Sequence, residues 1–354
     1  CVSMPRLTDA RPPRSSSPRF NGIDLCYISG YSRTPGSARE ELLESVSRSP
    51  EFPAIERVCD ELLGIYERGD SVTLPREIAG MLTRACESRS IDVPGDSRLA
   101  DLAEMVQHRL NNTLYRQQGL EWAAEIAKES GLTLAVFGPG WEQHPRFAEY
   151  ARGPVRYGDE LAELHASAGA TLRLEPYPPT SHQRLLDALA SGGRVLSRSY
   201  GSWHESENAF VSCFLEHLAG TEYATDEAFE RVPPSVRSAF LEHAESLRDA
   251  FGLANLEAVL ERYQYRVKHG LLEDYKHSPI PPRYFETVFS DKAGLRALTD
   301  RLKKDPKHFE SISEVQGAFV REHYSYPGAL RRVMQEIGCR LLRRASDSRS
   351  EEAA

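Results

Sequence analysis

The residue types best suited to hold an anion stand together at Thr180-Ser181-His182-Gln183-Arg184. A hydroxyl at Thr180 with Gln183 three positions on has the spacing of a helix capping box. The amides at such a helix start attract phosphate. The same helix start disfavours cations, because the helix dipole is positive there. His182 and Arg184 in the first turn therefore predict a bound anion that offsets them, and a diphosphate fits that description. A second group is Gly138-Pro139-Gly140-Trp141, where Gly138 and Gly140 remove side chains from a place a ligand could approach closely. Trp141 can stack on a planar ring or pack as core. A third is the turn Gly30-Tyr31-Ser32-Arg33. Each group also has a purely structural reading. Gly-Pro-Gly after a strand makes a turn, and His182 can be a surface residue beside a cap. Arg184 and Asp187, three apart, can pair on a solvated helix face.

Other chemistries find less support. His144, His165 and His204 have no mutual spacing that suggests metal ligation. The two closest of the six cysteines, Cys1 and Cys26, are 25 positions apart, and no Cys-x-x-Cys occurs. A zinc site is therefore not expected, nor is any other metal site. No Gly-x-Ser-x-Gly elbow supports a serine nucleophile, and no residue is assigned as catalytic.

The elements that must position these groups alternate in kind. Apolar runs at 23–29, 132–137, 171–174 and 194–197 read as strands. Helical patterns at 159–168 and 181–191 separate the last three. That alternation predicts an α/β fold with a parallel sheet and covering helices. In open parallel sheets, ligands sit outside the carboxyl ends of the strands, where the loops after 29, 137 and 174 fall. The stretch 37–130 has the helical period and reads as an insertion without chemistry of its own. Helical segments recur near 235–250, 254–269, 293–304, 307–322 and 328–344. Residues 201–284 read as a second helical insertion and 285–344 as closing helices. Residues 1–20, rich in Pro, Arg and Ser, read as a linker, and 345–354 as a disordered tail.

The whole chain sets the limits. Its 354 residues allow about two domains. A net charge of −8 argues against a broad nucleic-acid surface, which needs clustered cations. The strand-like run Leu132–Phe137 is far shorter than the roughly 20 apolar residues of a membrane span. No secretory signal is visible, and reduced thiols in the cytoplasm are the simplest expectation.

Several phrases, in order, resemble a known family. Leu134-Ala-Val-Phe-Gly-Pro-Gly-Trp141 and Gly153-Pro-Val-Arg-Tyr-Gly-Asp-Glu-Leu-Ala-Glu-Leu164 resemble glycosyltransferase-like proteins of the spore-maturation CgeB type. His182-Gln-Arg-Leu-Leu-Asp-Ala-Leu-Ala-Ser-Gly-Gly193 is similar to the Arg-x-x-Glu-Ala-x-Ala-x-Gly helix of nucleotide-sugar transferases with the GT-B fold. Val288 to Leu295, Leu302 to Pro306 and Phe319 to Tyr326 look like the phrases of the closing helices. The resemblance implies a Rossmann-like sheet, the carboxyl-terminal half of a GT-B fold, with a nucleotide-sugar as donor substrate and no separate cofactor. It implies that Gly138, Gly140 and Trp141 line the donor cleft. Thr180, Ser181 and His182 would face the diphosphate, and Arg184 would neutralise it. It also implies a partner half, an amino-terminal acceptor domain that precedes these residues. The final helix at 328–344 would then show apolar surface from Leu330, Val333, Ile337 and Leu341. Where many retaining members carry two Glu eight residues apart, this chain has Pro179 and Asp187. A non-catalytic interaction module that keeps the fold is the alternative.

Overall fold

The computed structural model describes residues 8, 20–30, 33–69, 75–175, 183–199, 210, 214, 234–251, 256, 259, 260, 281–328 and 331. Five short strands form one sheet: β1 (Leu25–Ile28), β2 (Leu134–Phe137), β3 (Ala170–Arg173), β4 (Val195–Arg198) and β5 (Val288–Phe289). All neighbours are parallel, in the order β2-β1-β3-β4-β5. The register pairs Cys26 with Ala135 on one side and with Thr171 on the other. This is an α/β, Rossmann-like arrangement. β2, β3 and β4 are buried along their whole length, as expected for a parallel sheet covered on both faces.

Ten helices accompany the sheet among the described residues: α1 (Pro35–Ser45), α2 (Phe52–Glu67), α3 (Pro75–Ser88), α4 (Asp96–Val106), α5 (Asn112–Ser130), α6 (Asp159–Ser167), α7 (Gln183–Ala190), α8 (Pro234–Phe251), α9 (Lys292–Lys304) and α10 (Pro306–His323). One sheet face, with Leu25, Tyr27, Leu134, Val136, Leu172 and Leu196, packs under Leu120, Ala123 and Ile126 of α5, Leu295 of α9 and Phe309 of α10. On the opposite face Cys26, Ala135 and Phe137 meet Leu164 of α6. Leu185, Leu186 and Leu189 of α7 join Val195 with Val320 of α10 there. The helices between β1 and β2 have a core of their own, including Leu42, Ile55, Leu82, Val106 and Tyr115.

Two features differ from the sequence reading. Val288–Phe289 is an edge strand on β4 rather than the opening of a helix. Two residues carry no readable alternation, so only pairing with β4 identifies them. Within the helical stretch 37–130, a continuous helical run extends from Asp96 to Ser130, because a π-helical turn at Gln107–Asn111 joins α4 to α5. A π turn inserts an extra residue and changes the phase of the buried stripe. Here the shift brings Gln107, Asn111 and Asn112 inside. They bond one another: Gln107 Nε2 donates to Asn112 Oδ1 at 2.7 Å and Asn111 Nδ2 to Gln107 Oε1 at 2.9 Å. The apolar face expected on 328–344 lies outside the described residues.

Candidate functional site

The strand order creates a crevice at the carboxyl ends of β1 and β3. The chain leaves β1 for β2 on one side and leaves β3 for β4 on the other. Ligands of open α/β sheets bind at such a switch point. β1, β2 and β3 all end at this edge, at Ile28, Phe137 and Arg173.

The loop after β2 is built around its own backbone. Gly138 has φ +133°, and a Cβ there would stand 2.1 Å from Ser29 O. Its missing side chain lets the ends of β1 and β2 approach each other. Its N–H donates to Gly153 O at 3.0 Å. Gly140 takes φ +84° to start the 3-10 turn Trp141–Gln143. Trp141 is 1% exposed. Its indole N–H donates to Ser29 O at 2.5 Å, and its ring meets Tyr27, His144 and Phe147 at centroid distances of 6.0, 5.4 and 5.9 Å. Of the two roles open to it, Trp141 takes packing. So buried, it presents no ring face to solvent.

Thr180, Ser181 and His182 lie outside the described residues, as do Tyr31 and Ser32. Arg184 stands in the first turn of α7. Its Nη1 donates to Glu175 Oε1 at 3.2 Å; the Arg184 side chain is 41% exposed and that of Glu175 is 4% exposed. Arg184 therefore pairs with the carboxylate ending β3, not with Asp187. Asp187 is buried and accepts from Thr8 Oγ1 at 2.6 Å and Gln183 Nε2 at 2.8 Å.

The structure adds residues the sequence reading passed over. The helices at 37–130 were expected to carry no chemistry, yet α5 runs antiparallel to β2 and brings its first turns to the strands' carboxyl ends. Thr113, Arg116 and Gln117 line a small cavity there with Tyr27 and Trp141. Gln117 Nε2 donates to Arg33 O at 2.9 Å and lies 3.0 Å from His144 Nε2. His144 is buried, and burial followed by Arg146 lowers its pKa. Burial first and the Glu175 carboxylate second raise the Tyr27 phenol to about 12, against Arg116, a Ser29 hydrogen bond and Arg184. Charged groups from both sides of the crevice thus act on this one phenol. Behind it, Arg198 at the end of β4 donates to Tyr115 O and, at 2.6 Å, to Gln118 Oε1. Its guanidinium lies 3.9 Å from the Tyr115 ring centre and 4.1 Å from that of Trp122. One signal for this polar wall was present in sequence: Asn111-Asn112-Thr113 and Gln117-Gln118 interrupt the apolar stripe of the helix.

Among the described residues no cluster of three His, Cys, Asp or Glu could hold a metal ion, and no helix is long and apolar enough to cross a membrane. The arrangement offers a half-exposed guanidinium fixed by a buried carboxylate on the α7 side, and a second arginine, Arg116, at the cavity on the α5 side. Such groups can bind an anionic ligand and stabilise charge on a leaving group. Residues 116–274 match a family model described as glycosyl transferase-like. The match takes in β2, β3, β4 and the loops between them, and supports a glycosyltransferase family. No curated protein and no solved structure matches the chain.

Proposed function

We propose that the carboxyl edge of the sheet binds a nucleotide-sugar and that the protein transfers the sugar to an acceptor. The observation that carries this reading is the glycosyl transferase-like match over 116–274, which spans the loop at Gly138 and Gly140 and the Glu175–Arg184 pair. The diphosphate lies against the start of α7, with Thr180, Ser181 and His182 offering donors and Arg184 neutralising charge. The nucleoside diphosphate departs as the leaving group, stabilised by amides and cations. No separate cofactor is required in this reading. The sheet is the donor half of a GT-B fold of the CgeB-like type, acting in the cytoplasm with an acceptor half as its partner. Nucleic acid is not a ligand.

The test is a titration of UDP-, GDP- and TDP-sugars against the full chain, following melting temperature. Saturable stabilisation by one of them is expected, weakened about tenfold or more by Arg184→Ala. No rise in melting temperature with any nucleotide would refute the donor site. The second reading, a binding module without turnover, draws on Asp187. The position matching a family glutamate is buried and bonded to Thr8 and Gln183, so it does not reach a ligand in the crevice. Binding without release of nucleoside diphosphate would favour the module.

A further inference from the structure

On the α7 side of the crevice, His165, Thr171, Arg173, Glu175 and Arg184 line a cavity with about 10 Å³ of space, enough for one water. His165 is 1% exposed. Its Nδ1 lies 2.9 Å from Thr171 Oγ1, which lies 3.3 Å from Cys26 Sγ. Among the described residues no protein atom bonds His165 Nε2. The Cys26 thiol keeps its proton, because burial raises its pKa to about 12. An imidazole nitrogen accepts far better than a thiol sulfur, so we assign the Thr171 hydroxyl as the donor to Nδ1. His165 is neutral, since burial, followed by Arg184, lowers it to about 3. Its one proton is therefore on Nε2. A buried donor left without a partner is destabilising. The carboxylate on the cavity wall is Glu175, the partner of Arg184.

We propose that this cavity holds one ordered water that accepts from His165 Nε2–H and donates to Glu175. His165 is thereby a positioning residue for the Glu175–Arg184 pair. The consequence for ligand binding rests on the donor-site reading above; the water and the tautomer do not.

Three measurements on the full chain test it. A crystal structure should show a water within hydrogen-bond reach of both His165 Nε2 and Glu175. A dry cavity, or a water bonded to only one of them, overturns the proposal. Nitrogen-15 NMR at neutral pH should find the Nε2–H tautomer, and an Nδ1–H tautomer overturns it. Inorganic pyrophosphate is the binding probe. His165→Phe keeps a ring and loses the donor. It should weaken pyrophosphate binding about fivefold, with no further loss when added to Arg184→Ala. His165→Gln, which retains an amide donor, should recover most of the affinity. Equal affinity of His165→Phe and wild type overturns the positioning role. If wild type binds neither pyrophosphate nor a nucleotide, the donor-site reading has failed. The inference is then decided by the crystal structures, where an unchanged Glu175–Arg184 contact in His165→Phe refutes it. Should His165→Phe not fold, the wild-type water and tautomer decide alone.

Discussion

At the scale of single residues, two positions carry costs that are separable by measurement. Gly138 combines φ +133° with a Cβ position 2.1 Å from Ser29 O. Gly192, at φ +84°, has open space where its Cβ would stand. Substitution to Ala should cost about 1 kcal/mol at Gly192, from the backbone conformation alone. At Gly138 it should cost about 3 kcal/mol or more, because the ends of β1 and β2 must separate. Urea unfolding of both variants tests this, and equal losses would refute the steric account. His165 makes a pH-dependent contribution. Its folded pKa, about 3, lies below that of an ordinary histidine. The unfolded state therefore takes up a proton that the folded state refuses. This contribution is intact above about pH 6.5 and is lost progressively as the pH falls toward 3, at about 1.4 kcal/mol per pH unit. Cys26 from β1, Thr171, Arg173 and Glu175 from β3 and its end, and Arg184 from α7 are the groups around it. Stability of His165→Gln should fall less steeply across that range than wild type, and parallel curves would assign the slope elsewhere. The sequence made Arg184 readable as an anion-binding group because a cation in a first turn conflicts with the helix dipole. It did not make its partner readable. Asp187 was the near neighbour along the helix, whereas Glu175 is brought close only by the fold.

At the scale of elements, legibility followed local pattern. β1 to β4 are short apolar runs with polar or glycine ends, and their sequence pattern alone locates each within a few residues. β5 has two residues and exists only through pairing with β4. The π turn between α4 and α5 was hidden for a different reason. Its buried amides look like an exposed helix face until the inserted residue turns them inward. Gln107 bonds both Asn111 and Asn112, so Gln107→Leu leaves two buried amides short of a partner. A loss of about 1–3 kcal/mol is expected, despite the gain of an apolar side chain. A second effect separates this from a simple helix defect. α5 is set in phase by the π turn, and its first turns carry Arg116 and Gln117 to the crevice. Nucleotide affinity of Gln107→Leu should drop along with stability. Unchanged affinity in the folded variant would show that the π turn does not set the site.

At the scale of the whole molecule, the helical layer between β1 and β2 has its own apolar core, and its attachment to the sheet is what makes the crevice two-sided. Exposed ion pairs such as Lys292–Glu125 and Arg296–Glu129 link α9 to α5, but pairs of this kind contribute about 0–1 kcal/mol each. Arg198 is the more consequential tie. It is buried at the end of β4 and lies against Tyr115, which belongs to the helical core, and Trp122, which packs against the sheet core. Its fork also holds Tyr115 O and Gln118 Oε1. A lysine keeps the charge but lacks the flat face and the second nitrogen of the fork, so the two are not equivalent here. Arg198→Lys should cost about 2–3 kcal/mol in urea unfolding. Its distribution is the sharper expectation, because proteins open in units of unequal stability. Amide hydrogen exchange should accelerate in the π turn and α5 around residues 107–122 and stay near wild type in α6 and α7. Uniform acceleration would mean that layer and sheet open together and that Arg198 is an ordinary core residue. Selective acceleration would identify β4 as the anchor from which the inserted helices hold Arg116 at the α5 side of the sheet's carboxyl edge.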